Sequence, residues 1–178
     1  LGVDVGYKKL LVDSNGNQYG TGFESLCTKI SKKQQGSKAF KRALSERDCY
    51  INSTIKQLPL DECRTLVVEN LKNVKYGTKQ TRSMSTKFMN KLQRWTYSKV
   101  VSRLKLTSEL LRVQVIEVNP RNTSRTCFMC KHVDKKSRNG ELFKCTNCGY
   151  TADADHNGAM NILSLGSQEH MVPVPSIN

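Results

Sequence analysis

Apolar and polar positions alternate at the start of the chain. Val3 and Val5 flank Asp4, the run KKLLVDS follows, and Asn15-Gly16-Asn17 leads into QYGTGF. Alternating runs joined by an Asn-Gly turn predict hairpins, so three antiparallel strands open the domain. Gly2 and Gly6 keep the surroundings of Asp4 open. Residues 24–36 read as a basic connector containing Gly and Gln. From Ser37 to Leu58 the period lengthens. Phe40, Leu44, Arg47, Ile51, Ile55 and Leu58 recur at three- and four-residue steps, which predicts an amphipathic helix ended by Pro59. In Thr65–Asn70 the run Leu66-Val67-Val68 is apolar on both faces, as in a central buried strand. Residues 71–84 are polar and basic without period, a flexible loop suited to lining a groove for a phosphate backbone.

A long helix is predicted from Ser85 to Arg112, with Phe88, Leu92, Trp95, Val101, Leu104 and Leu111 on its apolar stripe. Val113–Val118 reads as another buried strand, broken by Asn119-Pro120. After Tyr150, the run DADHNGAMNIL reads as a helix start followed by small residues. Gly158 and Ala159 permit close packing there, with Ile162 and Leu163 pointing inward. Residues 164–178 show no period, contain Pro173 and Pro175, and read as a loose tail.

Between the last predicted strand and that helix lie two Cys-x-x-Cys pairs, Cys127/Cys130 and Cys145/Cys148. A Cys-x-x-Cys turn presents two thiolates from one bend, and two such turns across a short hairpin complete the tetrahedral shell that Zn²⁺ prefers. Two disulfides or four unrelated thiols are the other readings. Four protein ligands leave no open position, so the zinc is expected to be structural. The intervening KHVDKKSRNGELF is a basic hairpin with an Asn139-Gly140 turn, and His132 faces solvent or phosphate.

Charge narrows the partners. Lys and Arg number 29 against 15 Asp and Glu, a net charge of +14, which favours a polyanion, nucleic acid before an anionic membrane. No apolar run approaches the ~20 residues that span a bilayer. Cys27, Cys49 and Cys63 remain as free thiols, which fits a reducing compartment such as the cytoplasm. Leu1 lies one residue before a predicted buried strand, so the chain is expected to be part of a longer polypeptide.

Three acids stand where chemistry could happen. Asp4 lies mid-strand, where a buried, hydrogen-bonded carboxylate is the alternative. Glu69 closes the second apolar strand, where a loop-facing Glu is the alternative. Asp155 begins the last helix, where it and Asp153 could equally be capping or dipole-compensating acids. The order strand–strand–strand–helix–strand–helix suits an RNase H-like sheet, in which the first strand and the next parallel one are adjacent. Acids on both, plus one from a helix laid across the sheet, could converge. Converging carboxylates repel unless cations neutralise them, and hard oxygen ligands suit Mg²⁺ or Mn²⁺. Two such ions ~4 Å apart could activate water and stabilise the departing oxygen of a phosphodiester.

The segments GVDVG, VVEN, VNPRNTSRTCFMC, CTNCGY and DADHNGAMNIL closely resemble the RuvC nuclease and zinc-ribbon region of the transposon-encoded TnpB (OrfB) proteins and the related type V CRISPR effector nucleases. The resemblance runs from Leu1 to about Leu165. It implies an α/β fold, an RNase H-like (RuvC) mixed sheet flanked by helices with an inserted zinc ribbon. It divides the chain into residues 1–119 (first part of the nuclease core), 120–152 (ribbon), 153–165 (closing helix) and 166–178 (flexible tail). Asp4, Glu69 and Asp155 match the family's catalytic, magnesium-binding acids, with Asp153 a possible auxiliary. Cys127, Cys130, Cys145 and Cys148 match its zinc ligands. The implied activity is RNA-guided, Mg²⁺-dependent DNA cleavage, with DNA as substrate and guide RNA as a partner of the full-length protein. A catalytically silent nucleic-acid-binding regulator and a junction-resolving RuvC relative are the alternatives. Lys131 stands where the family usually has Gly, a change expected to alter a turn and not the metal.

Overall fold

The computed structural model describes residues 1–70 and 97–169. The expected loop at 71–84, the part of the long helix at 85–96 including Trp95, and the tail at 170–178 lie outside the described residues.

Three strands open the chain: β1 (Gly2–Val5), β2 (Leu11–Asp13) and β3 (Gln18–Tyr19). They form an antiparallel meander, and the Asn15-Gly16 turn has Gly16 at φ 89°. Asp13 is fully buried and accepts from the Asn15 and Asn17 amides, the Asn17 side chain and the Tyr19 hydroxyl, which fixes this corner. β4 (Thr65–Glu69) pairs in parallel with β1, and β5 (Gln114–Val118) in parallel with β4. The five-stranded order is β3-β2-β1-β4-β5. β4 is thus internal, and Leu66, Val67 and Val68 are all at most 2% exposed. β5 corrects the sequence reading. Among the described residues it is an edge strand, with Gln114 exposed and Val115, Ile116 and Glu117 half-buried.

Helices α1 (Phe23–Ser31), α2 (Lys38–Ile55) and α3 (Tyr97–Leu110) supply one apolar layer. Phe23, Cys27, Ile51, Ile55, Val100, Val101 and Leu104 pack with Val3, Val5, Leu66 and Val68. α1 replaces the expected connector at 24–36. Phe23, Leu26, Cys27 and Ile30 recur at helical steps and are buried, a signal masked by Lys29 among them and by Lys32 and Lys33 just beyond. The Ser37 hydroxyl caps α2 by accepting from the Phe40 amide at 3.1 Å. α2 ends at Ile55, ahead of the expected Leu58, which is still buried in the core. Arg47 lies in the apolar stripe because its guanidinium meets Asp48 at 2.8 Å, and Asp48 also pairs with Lys99 of α3.

The last helix, α4 (Ala154–Glu169), lies on the opposite face and packs on β1, β2, β4 and β5. Ile162 is fully buried with Val67 and Val118, and Leu163 and Leu165 flank it. Gly2 does not open space around Asp4, as expected, but lets α4 approach β1. A Cβ there would stand 2.5 Å from the Ala159 carbonyl oxygen. α4 also outruns its predicted end at residue 165, because Gly166 seats against the Val67 methyls, where a Cβ would come within 2.6 Å.

Between β5 and α4 the chain forms a second, three-stranded antiparallel sheet. It consists of β6 (Arg138–Asn139), β7 (Leu142–Lys144) and β8 (Thr151–Asp153), in that order. The Asn139-Gly140 turn joins β6 to β7, with Gly140 at φ 61°. β8, which the sequence reading lacked, pairs with β7 and passes directly into α4.

Candidate active site and metal centre

The register of β1 and β4 pairs Gly2 with Val67 and Val3 with Val68. One step further along the same register brings Asp4 level with Glu69. Side chains alternate along a strand, so Asp4 shares the face of Gly2, and Glu69 that of Val67. Both faces look toward α4. Gly158 of α4 stands over Asp4, where a Cβ would be 3.0 Å from Oδ2. Asp155, in the first turn of α4, completes the group. Asp4, Glu69 and Asp155 line one cleft of about 490 Å³, with Thr123, Arg138 and Gly158 among its walls.

The electrostatics record this crowding. Burial raises Asp4 well above the ordinary carboxylate range, and the charges of Glu69 and Asp155 push it further. Burial also raises Glu69, opposed by a hydrogen bond from the Thr123 hydroxyl and by the charge of Arg138. Arg138 of β6 donates to Asp155 Oδ1 at 2.7 Å. A divalent cation would relieve what the protein's own residues only partly offset.

Asp153 is placed differently. Its Oδ1 accepts from the amides of Asp155 and His156, capping α4. Its Oδ2 lies 2.5 Å from Lys9 Nζ. Of the acids read from the sequence, Asp153 takes the capping role and Asp155 faces the cleft.

The four predicted cysteines also meet. Their sulfurs lie within 4.8 Å of one another, a set that could hold one metal ion. Cys127 and Cys148 are 3.7 Å apart at sulfur, and Cys130 and Cys145 are 3.6 Å apart. A tetrahedron with Zn–S bonds of about 2.3 Å has edges of roughly 3.8 Å, so the spacing fits zinc. The two turns repeat each other. The Cys127 amide donates to the His132 carbonyl and the Lys131 amide to that of Cys127. The Cys145 amide donates to the Tyr150 carbonyl and the Gly149 amide to that of Cys145. Gly149 has φ 75° and Lys131 φ 60°. Lys131 therefore keeps the turn that it was expected to alter. It accepts a left-handed backbone, while its ammonium sits 4.4 Å from the centre of the Phe128 ring.

Several residues that sequence reading missed join these two centres. Asn157 and Asn161 are buried one helical turn apart on α4. Asn157 accepts from the Phe128 amide at 3.0 Å and donates to the Thr126 carbonyl at 2.9 Å. Asn161 donates to the carbonyls of Thr123 and Thr126 at 3.0 and 2.7 Å. The closing helix thus holds the segment entering the first cysteine turn. The available signal was two amides at i, i+4 on the face bearing the apolar residues. Thr123, Arg138 and Lys9 act across long sequence separations and left no local signal.

Comparison with known proteins bears on the same segments. The family described as Cas12f1-like, TNB domain, matches residues 97–162. The CRISPR-associated endodeoxyribonuclease Cas12f1 of Sulfoacidibacillus thermotolerans is 36% identical over 101 residues, 56% of this chain and 22% of that protein. A TnpB-like protein of Methanocaldococcus jannaschii is 30% identical over 98 residues, 54% of this chain and 34% of its own length. The chain is a relative of the TnpB-like and type V effector proteins. It spans between about a fifth and a third of these two curated relatives. A solved Cas12f1–sgRNA–target DNA complex shares its fold, with a TM-score of 0.63 at 22% identity, covering 90% of this chain and 48% of that one. No helix among the described residues is long and apolar enough to cross a membrane.

Proposed function

We propose that this chain is the nuclease portion of an RNA-guided DNA endonuclease, built on an RNase H-like (RuvC) core of residues 1–119 and 153–165 interrupted by a zinc ribbon at 120–152. Asp4, Glu69 and Asp155 are its catalytic acids. The observation that carries this reading is the convergence, in one cleft, of carboxylates 65 and 86 positions apart in sequence. The three offer hard oxygen ligands suited to Mg²⁺ or Mn²⁺. When bound, such ions supply activation of water and neutralisation of charge on the phosphodiester.

The chain's own residues do the rest. Glu69 is oriented by the Thr123 hydroxyl, and Asp4 is held beneath Gly158. Arg138 brings a guanidinium to the cleft wall, where it can meet a phosphate oxygen as well as Asp155. The four cysteines hold structural zinc, which fixes the hairpin that carries Arg138. Net charge of +14 supplies the attraction for DNA and for guide RNA. The work is done in the cytoplasm of a prokaryotic cell, the protein belonging to the cell or to its mobile element or phage.

The test is cleavage of single-stranded DNA with Mg²⁺ or Mn²⁺, by this chain and by the full-length protein loaded with its RNA. Asp4→Ala is expected to abolish cleavage in both. Cleavage that survives Asp4→Ala contradicts the assignment.

A further inference from the structure

Lys9 is a long cationic side chain only 9% exposed, at the turn between β1 and β2. Its ammonium lies 2.5 Å from Asp153 Oδ2, 4.0 Å from Asp155 Oδ2 and 4.0 Å from Glu141 Oε1. One cation from the start of the chain thus faces three acids from the ribbon and the start of α4. The neighbouring Lys8 points to Glu141 at 3.5 Å, and Arg138 holds the other oxygen of Asp155.

Asp153 and Asp155 are two residues apart; Asp155 lines the cleft, and Asp153 reaches the same ammonium of Lys9 from beside it. What separates their roles is their partners. Both oxygens of Asp153 are engaged, Oδ1 by two amides of α4 and Oδ2 by Lys9. Asp155 Oδ2 has Lys9 only at the limit of an ion pair. A buried ammonium at that distance acts on a neighbouring carboxylate through charge without occupying its lone pairs.

We propose that Lys9 is a positioning residue that selects which carboxylates take a divalent cation. It withholds Asp153 from the metal set, leaving Asp4, Glu69 and Asp155, and its charge keeps metal affinity at that trio moderate. This rests on reading the cleft as the site of a divalent metal. Removing Lys9 frees Asp153 Oδ2 and deletes a positive charge that repels the incoming ion. The metal should then bind more tightly but in a wrong arrangement.

The experiment measures Mn²⁺ binding to the zinc-loaded 178-residue chain by electron paramagnetic resonance, alongside DNA cleavage. Lys9→Met is expected to tighten Mn²⁺ binding about tenfold and to lower turnover. Lys9→Arg should stay near the parent. Asp153→Asn keeps the helix cap but releases Lys9 toward Asp155, and should weaken Mn²⁺ binding several-fold. Lys9→Met/Asp153→Asn removes both charges and should return affinity to within about threefold of the parent. Opposite shifts in the two single variants are what a merely structural ion pair would not give. Unchanged or weaker binding in Lys9→Met overturns the proposal. If Lys9→Met fails to fold, unchanged or tighter binding in Asp153→Asn overturns it. Asp4→Ala separates the two readings. If it leaves Mn²⁺ binding intact, the metal-site reading fails. If it abolishes binding while Lys9→Met changes nothing, the role of Lys9 fails alone.

Discussion

The cysteine cluster and the acid cleft both gather anionic ligands, yet they are assembled in opposite ways. Each half of the cysteine cluster comes from a single tight turn, with amides closing the bend and a left-handed residue behind it. The two turns need only a short hairpin to meet. Around the sulfurs there is little apolar content beyond Phe143, Ala154 and Tyr150. The acids instead come from two parallel strands and a helix, and nothing local holds them together. Their meeting is enforced by the layers above and below the sheet, which bury Val3, Leu66 and Val68 on one side and Ile162 on the other. With the proposed zinc on the four cysteines, this segment would depend on that metal for its fold. The cleft depends on the fold for its geometry, and crowding its carboxylates costs stability that the proposed cations would offset.

The largest expected effect follows from that contrast. Stripping the proposed zinc with a chelator removes on the order of 10 kcal/mol of ribbon stability at neutral pH, and Cys145→Ser removes part of it. Hydrogen exchange should then show lost protection across residues 120–152, with β4 and α2 still protected. Loss of protection throughout the chain would mean that the two regions do not fold separately.

A smaller effect concerns pH. Burial, then the charges of Glu69 and Asp155, raise Asp4. A carboxyl raised by folding binds more protons in the native chain than in the unfolded one. Stability of the chain without divalent cations should therefore fall as pH climbs from the ordinary Asp range through the raised value. The gain in melting temperature from Mn²⁺ should be larger at about pH 8 than at about pH 5, by thermal melts. A gain that shrinks over that interval would detach the metal from Asp4.

The smallest effect tests the internal symmetry of the cysteine turns. Lys131→Gly relieves a left-handed L-residue, a strain of about 1–2 kcal/mol, but gives up a cation–π contact of about 0.5–1 kcal/mol. Denaturant titration should show a net stabilisation of about 0.5 kcal/mol. A clear destabilisation would mean that the lysine contact, not the backbone, decides the turn.

The same contrast explains what was legible in the sequence. The cysteine pairs carry their geometry in their spacing, and their sulfurs meet as that spacing requires. Asp4 and Glu69 were legible only as oddities at the middle and end of apolar strands, and their adjacency needed the parallel pairing of β1 with β4. Lys9 and Arg138 were not legible as parts of the site. Lys9 meets Asp153 across 144 residues, and Arg138 reaches Asp155 through the folding of the hairpin. α1 was missed because lysines at Lys29, Lys32 and Lys33 hid four buried apolar positions. The edge position of β5 was missed because an apolar strand does not reveal how many neighbours it has.

The most direct test of the central claim is anomalous diffraction from crystals of the zinc-loaded chain soaked in Mn²⁺. The account predicts manganese density bounded by the carboxylates of Asp4, Glu69 and Asp155, with zinc density confined to the four cysteines. Ordered manganese elsewhere, with none between those three acids, would contradict it.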